Sequence, residues 1–314
     1  MKRLFLISLP RSGSTLTQAI LSSAPEIATT PEPWTQLIIS SFSQSQGIKA
    51  DYNWSWALRA LEGCRGEQDT LLEDFKNGLI EREDAFAQRE LACQGATIFL
   101  DKTPRYYYIL DELKSRYPDA HFLILDRDLV SVCMSIYRTW VMDKSKKNIL
   151  NYMDDLLVGP ELIKNFAKTN ADSPNVMSIS YEKILESPDE HFREIFAWLK
   201  ISWDKKYLDF SKNDKFRGAF GDQTRVNEGV LRTGKTKKLE SSKKGKYVDD
   251  FFGDSFIRGY AYYIKRKEDW FTTNRLRARP TLVFFLLYSA NLIRSEKMFK
   301  DKIKQFYSFC RGII

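Results

Sequence analysis

Short apolar runs alternate with stretches of helical periodicity over the first 200 residues. The runs that we predict as buried strands are 2–9, 26–30, 97–100, 121–125 and 175–181. Helical patterns lie between them, including one over 105–116, and residues 34–95 are predicted as a helical insertion with one helix at 54–64. Strands that alternate with helices favour a parallel sheet covered by helices, because each crossover connection then packs back on the sheet. The predicted fold class is therefore α/β.

A polar turn directly follows the first predicted strand. Residues 10–15 read Pro-Arg-Ser-Gly-Ser-Thr, and a helix is predicted over 14–23. A turn that opens a helix directs backbone N–H groups and the positive end of the helix dipole at one place. Glycine allows close approach of the backbone, hydroxyls donate, and arginine adds charge. The residues that we expect to bind an anion there are Arg11, Ser12, Gly13, Ser14 and Thr15. An ordinary Ser/Gly turn with a capped helix is the alternative.

The turn differs from the loop that binds nucleoside triphosphates. That loop has the pattern G-x-x-x-x-G-K-[ST]. Here Ser8 stands where the first glycine is required, and Ser14 stands where the lysine is required. The pattern thus favours a phosphate-like group and argues against a nucleotide kinase of the P-loop type.

A second anion signal follows the fourth predicted strand. Arg127 stands at the end of that strand, and Ser135 follows eight residues later in a predicted helix. Two helical turns separate these positions, so both side chains can face one anion. The alternative is an arginine paired with a carboxylate and a solvated serine.

Arg11, Glu32, Lys102 and Arg127 all come directly after predicted strands. In open α/β sheets, ligands bind outside the carboxyl ends of the strands. We therefore expect one site that contains all four residues. The alternatives are a surface carboxylate in a proline turn for Glu32, and for Lys102 a pairing with Asp101 or a lysine that extends to the solvent.

These motifs resemble those of the sulfotransferases that use 3′-phosphoadenosine 5′-phosphosulfate (PAPS). Residues 10–15 fit the family pattern P-[KR]-[ST]-G-[ST]-[ST], and Arg127 with Ser135 fits the second pattern. The tyrosylprotein and bacterial branch is the most similar, because of Glu32, the Lys-Thr-Pro turn at Lys102 and the pair Tyr181-Glu182, which we predict on a strand. The resemblance covers residues 1–200.

The resemblance implies the roles of the site residues. Arg11 and the rest of the first loop would bind the 5′-phosphosulfate of PAPS, and the Arg127/Ser135 pair would bind its 3′-phosphate. Glu32 would be the general base and Lys102 would stabilise charge on the transferred group. Tyr181 would stack near the adenine, or simply pack in the fold.

The resemblance also implies transfer without a metal, to a hydroxyl acceptor. A carbohydrate, as glycan or glycolipid, is the first choice of acceptor, and tyrosine in a protein is the alternative. The second alternatives are a P-loop nucleotide kinase and a non-catalytic nucleotide-binding protein. In the family a late basic loop closes over the nucleotide, and Arg232 and Lys235 within residues 217–247 are the candidates here. No strict motif aligns there, and a solvated loop is the alternative.

The net charge of +8 is concentrated near the end of the sequence. Residues 271–314 contain nine basic and two acidic residues, a balance of +7, which leaves about +1 for residues 1–270. This distribution argues against a nucleic-acid partner for the core. We therefore predict a domain over 1–270 and a basic, apolar helical tail over 271–314.

The tail has an apolar run at 281–293, which is short of the roughly 20 residues that span a bilayer. Peripheral contact with the inner face of a membrane through 275–304 is one reading. The other is packing on the core or on a second subunit, as in a homodimer. The first strand begins at residue 2, from which we expect a cytoplasmic protein. The four cysteines and two histidines show no spacing typical of a metal site.

Overall fold

A parallel five-stranded sheet organises the computed structural model, which describes residues 1–41, 71–144, 146–213 and 251–266, together with Lys215 and Val248. The strands are Lys2–Ile7 (β1), Ile27–Thr29 (β2), Ile98–Asp101 (β3), His121–Asp126 (β4) and Val176–Ser180 (β5). Their order in the sheet is β2-β3-β1-β4-β5, and every pairing is parallel. β1 is central and is buried along nearly its whole length. Continuous apolar runs of this kind are typical of parallel strands covered on both faces.

Helices follow the strands in the order that a doubly covered sheet requires. The α-helices are Ser14–Leu21 (α1), Thr35–Ser41 (α2), Leu71–Gln94 (α3), Leu110–Arg116 (α4), Leu129–Trp140 (α5), Met153–Leu157 (α6), Gly159–Thr169 (α7), Tyr181–Glu186 (α8), Pro188–Leu199 (α9) and Phe251–Arg266 (α10). Short 3₁₀ helices lie at Tyr106–Ile109, Lys146–Tyr152 and Lys205–Leu208. The α/β fold class is thereby confirmed.

The described residues divide into two compact units. The first comprises those up to Asp126 and those from Leu162 to Lys215, and it contains the entire sheet. Its main core packs α1, α8 and α9 against the strands, with side chains such as Phe192 and Phe196 fully buried. Burial of this apolar surface is the main source of stability in such a layer.

The second unit comprises residues 127–161 and the described residues from Val248 to Arg266. The ring of Tyr137 on α5 packs on Gly253 of α10, where an added Cβ would lie 2.2 Å from the ring. Trp140 and Tyr152 stack with their ring centroids 4.8 Å apart. The Tyr260 hydroxyl donates to the carbonyl of Leu156 at 2.8 Å, which satisfies a buried phenol.

Two local predictions are wrong. Tyr181 was predicted at the end of a strand, but it is the first residue of α8, with Ser180 as N-cap. The Ser180 hydroxyl accepts from the Lys183 N–H, which starts the helix at that point. The single helix predicted over 105–116 is instead a 3₁₀ helix followed by α4.

Several predictions fall on residues outside the described part of the chain. These are the helix at 54–64, the basic loop 217–247, the tail 271–314 with its membrane segment 275–304, and the domain boundary at 270. Within the described residues, no helix combines the length and apolarity needed to cross a bilayer.

Candidate functional site

The turn between β1 and α1 has two residues in left-handed backbone conformations. Arg11 has a φ of +66° and Gly13 a φ of +93°. The Ser12 N–H donates to the Leu9 carbonyl at 3.3 Å, which closes the turn. Gly13 is the N-cap of α1, and the helical ladder begins with Thr17 N–H donating to the Gly13 carbonyl at 3.1 Å. The first amides of any α-helix lack acceptors within the helix, so the start of α1 suits an anion.

Gly13 is also the contact point of Tyr181. A Cβ at Gly13 would lie 2.2 Å from Cε2 of the Tyr181 ring, so the ring packs directly on the glycine backbone. Tyr181 is itself only 2% exposed. The aromatic ring at the start of α8 thus packs against the turn of residues 10–15, which we call the anion turn. Its stacking on an adenine stays a prediction.

Glu32 and Lys102 form a buried ion pair. Lys102 Nζ lies 2.6 Å from Glu32 Oε1, and the two side chains are 2% and 7% exposed, respectively. The same Nζ lies 3.5 Å from the hydroxyl oxygen of Thr15 in the anion turn. Burial lowers the pKa of the Lys102 amine, while the charge and hydrogen bond of Glu32 oppose that shift. The alternative of a lysine that extends to the solvent is therefore wrong, whereas the charge of Asp101 also acts on Lys102, in addition to that of Glu32.

Glu32 lies on a rigid segment that leads from β2 to α2. Pro31 and Pro33 flank it and fix their own φ angles. Trp34 has a φ of +58°, and its N–H donates to Thr103 Oγ1 at 3.4 Å. Thr103 is fully buried and belongs to the same turn as Lys102. The two turns that contain Glu32 and Lys102 are thus joined by a second hydrogen bond.

Asp101 is the last residue of β3 and directly precedes Lys102. It is 1% exposed, and its carboxylate accepts from the Tyr106 hydroxyl at 2.8 Å. Burial, with the negative charge of Glu83 as the next contribution, raises the pKa of Asp101 to about 7. From the sequence, Asp101 is predicted only as a possible partner of Lys102, because the apolar run gives no sign of the Tyr106 contact.

Arg127 and Ser135 lie in the second unit. Arg127 follows the last residue of β4, and Ser135 lies within α5. Asp128 caps that helix by accepting from the Ser131 N–H at 2.7 Å. The strand-then-helix context predicted for both residues is confirmed. Their shared binding of one anion stays a prediction.

The structure brings the first-loop residues, Glu32, Lys102 and Tyr181 together in the first unit. Gln18, whose side chain contacts the Glu32 segment, was missed by sequence reasoning. Nothing in the local sequence sets Gln18 apart, because Ser14 and Thr17 of the same helix are polar and buried as well. Among the described residues, no group of three or more His, Cys, Asp or Glu side chains is placed to hold a metal.

Comparison with known proteins finds one family model and several similar proteins. Residues 3–205 match the model of the sulfotransferase family. The nodulation protein NoeE of Sinorhizobium fredii is 26% identical over 62% of this chain and 49% of its own length. Protein-tyrosine sulfotransferase A of Caenorhabditis elegans is 24% identical over 65% of this chain and 51% of its own length. The chain therefore spans about half the length of these two relatives.

A solved structure shows the same fold. The sulfotransferase domain from the curacin biosynthetic pathway superposes with a TM-score of 0.55 at 16% identity. The alignment covers 83% of this chain and 96% of that domain. With a family model that matches about two thirds of its residues, and with the anion turn at the expected place, this chain belongs to the sulfotransferase family.

Proposed function

We propose that this chain transfers the sulfuryl group of PAPS to a hydroxyl acceptor. The observation that carries the proposal is the position of the Lys102 ammonium, which lies 2.6 Å from the Glu32 carboxylate and 3.5 Å from the Thr15 hydroxyl. One cation thus contacts both the anion turn and a candidate base. Sulfuryl transfer needs these two elements next to each other.

The donor fits the chemistry of the turn. The turn offers backbone amides, the hydroxyls of Ser12, Ser14 and Thr15, and the charge of Arg11 to the 5′-phosphosulfate. By family resemblance, Arg127 and Ser135 bind the 3′-phosphate and Tyr181 lies near the adenine. The membership of the family supports PAPS as donor, and the proposed transfer uses no metal.

The proposed step is an in-line displacement at sulfur. The acceptor oxygen forms a bond to sulfur, and the bond from sulfur to the 5′-phosphate oxygen breaks, which releases adenosine 3′,5′-bisphosphate (PAP). Glu32 accepts the proton of the attacking hydroxyl as the general base, and its ion pair with Lys102 holds it near the anion turn. Lys102 stabilises negative charge that develops on the leaving oxygen.

A carbohydrate hydroxyl is the acceptor that we propose first. The charge of residues 1–270 sums to about +1, which favours an uncharged acceptor over a strongly acidic one. The second candidate is a tyrosine side chain of a protein, which the similarity to protein-tyrosine sulfotransferase A favours.

Transfer of ³⁵S from labelled PAPS tests the proposal. The acceptors are a panel of neutral oligosaccharides and glycolipids and, separately, tyrosine-containing peptides. We expect sulfated sugar and no labelled peptide; labelled peptide alone would select the second candidate. If the folded protein transfers ³⁵S to none of these acceptors, the proposed activity is contradicted.

The Glu32→Gln variant tests the role of the base. We expect kcat to fall by about 10²- to 10⁴-fold, which is the usual contribution of general base catalysis. Binding of PAP, measured by calorimetry, should stay within about twofold. Glu194→Gln, which changes an exposed carboxylate on α9, is the control and should be fully active. Normal turnover by Glu32→Gln would contradict the assignment.

A further inference from the structure

A buried amide joins the helix of the anion turn to the segment that contains Glu32. Gln18 lies one helical turn after Ser14 on α1 and is 1% exposed. Its Nε2 donates to Thr29 Oγ1 at 2.8 Å and to the Thr30 carbonyl at 2.9 Å. Both N–H bonds of the amide therefore point at the residues that immediately precede Pro31 and Glu32.

The contact extends to the strand that leads to Lys102. The Thr29 hydroxyl donates to the Leu100 carbonyl at 2.7 Å, and Leu100 lies two residues before Lys102. Gln18 thus reaches the Glu32 segment directly and the Lys102 strand through one hydroxyl. Since α1 begins at the turn itself, one rigid helix connects all three parts of the candidate site.

Gln94 of α3 binds β2, the strand that contains Thr29. Its Nε2 donates to the Thr29 carbonyl at 3.0 Å, and its Oε1 accepts from the Thr29 N–H at 3.3 Å. These bonds fix β2 on α3. They do not connect β2 to the helix that begins at the anion turn. Gln18 is therefore distinguished from Gln94 by its connection to the turn.

We propose that Gln18 is a positioning residue that links occupation of the anion turn to the placement of Glu32. The inference rests on the proposed function. Small displacements of a base from its acceptor cost large factors in rate, and Gln18 limits such displacement by binding two successive residues of the segment. If Gln18 only stabilised the fold, its replacement would lower the free energy of unfolding but would not lower kcat while donor binding stayed unchanged.

The Gln18→Met variant removes both hydrogen bonds while keeping a side chain of similar length. We expect kcat to fall by at least tenfold, with KM for PAPS and Kd for PAP changed by less than threefold. Ser22→Ala is the matched control. Ser22 is a buried polar residue directly after α1, and its hydroxyl donates to the Gln18 carbonyl at 2.7 Å. Ser22→Ala should lower Tm comparably and leave kcat unchanged.

Hydrogen exchange gives a readout that does not depend on turnover. In the unmutated protein, saturating PAP should slow amide exchange in peptides that cover residues 27–37. In Gln18→Met, PAP should still bind, but this slowing should be lost. Equal slowing in the variant, or none in an unmutated protein that binds PAP, would overturn the link while leaving the proposed function intact. Failure of the unmutated protein to bind PAP would contradict the donor assignment and the link together.

Discussion

Gly13 is constrained by its backbone and by its surroundings at the same time. Its φ of +93° is unfavourable for any residue with a Cβ, and the ring of Tyr181 fills the space that a side chain would need. The sequence motif predicted that Gly13 allows a ligand to approach the backbone closely. It could not predict the aromatic contact, because Tyr181 lies far along the chain and its own local pattern indicated a strand.

Gly13→Ala should therefore destabilise the protein. We expect a loss of about 1–3 kcal/mol in the free energy of unfolding, from strain at positive φ and from displacement of the Tyr181 ring. Gly78→Ala is the control: it lies within α3 with no atom within 4 Å of an added Cβ. There we expect a gain of about 0.5–1 kcal/mol, since alanine favours helix. Urea unfolding measures both, and equal effects would contradict this account.

Asp101 should make stability depend on pH. Its folded pKa of about 7 lies above the ordinary value of 3.8, so the folded state retains a proton that the unfolded state releases. The corresponding stability is complete below pH 4 and is lost as the pH rises through 7. A pKa difference of one unit corresponds to about 1.4 kcal/mol.

The Asp101→Asn variant isolates this effect, because asparagine can still accept from the Tyr106 hydroxyl. We expect the variant to gain stability relative to the unmutated protein between pH 5 and pH 8. Urea unfolding at both pH values provides the comparison. Parallel pH dependences for the two proteins would show that Asp101 titrates normally.

At the scale of the elements, sequence patterns predicted the strands more accurately than the contacts between them. All five predicted strands are present within a few residues, because buried parallel strands are continuous apolar runs with clear ends. Tyr181 is misplaced because its β-propensity continues the run of β5, whereas the Ser180 hydroxyl starts a helix there. Tertiary partners, such as Gln18 with Thr29, leave no mark in periodicity.

The buried ion pair of Arg3 is a contact between elements that the hydrophobic pattern did not predict. Arg3 lies on the central strand and is 4% exposed, yet it forms an ion pair with Glu83 of α3 at 2.5 Å. Its guanidinium also lies 4.4 Å from the ring centroid of Tyr117. The Tyr117 hydroxyl in turn donates to Glu83 at 3.2 Å. This buried cluster fixes α3 on the sheet.

Removing one partner of this cluster should be costly. Arg3→Met leaves the Glu83 charge buried, for which we expect a loss of about 3–5 kcal/mol in the free energy of unfolding. Arg193→Met on the exposed face of α9 is the control. It breaks a solvent-exposed pair with Asp189 and should change little. A small effect of Arg3→Met would mean that the cluster is not a stabilising contact of α3.

At the scale of the whole molecule, the candidate site was predictable because strand ends meet at one edge of a parallel sheet. Glu32 and Lys102 follow β2 and β3, and the structure places them in contact, as that rule requires. The acceptor was not predictable to the same degree. Binding residues of enzymes are often placed on loops and insertions between the regular elements, and for these the sequence gives no general rule.

The central claim is that the anion turn and its partners bind the nucleotide of PAPS. Calorimetric titration of the full chain with PAP, with Mg·ATP as the comparator, tests it most directly. We expect saturable binding of PAP with one site per chain and little heat from Mg·ATP. Preference for Mg·ATP, or no binding of PAP, would contradict it.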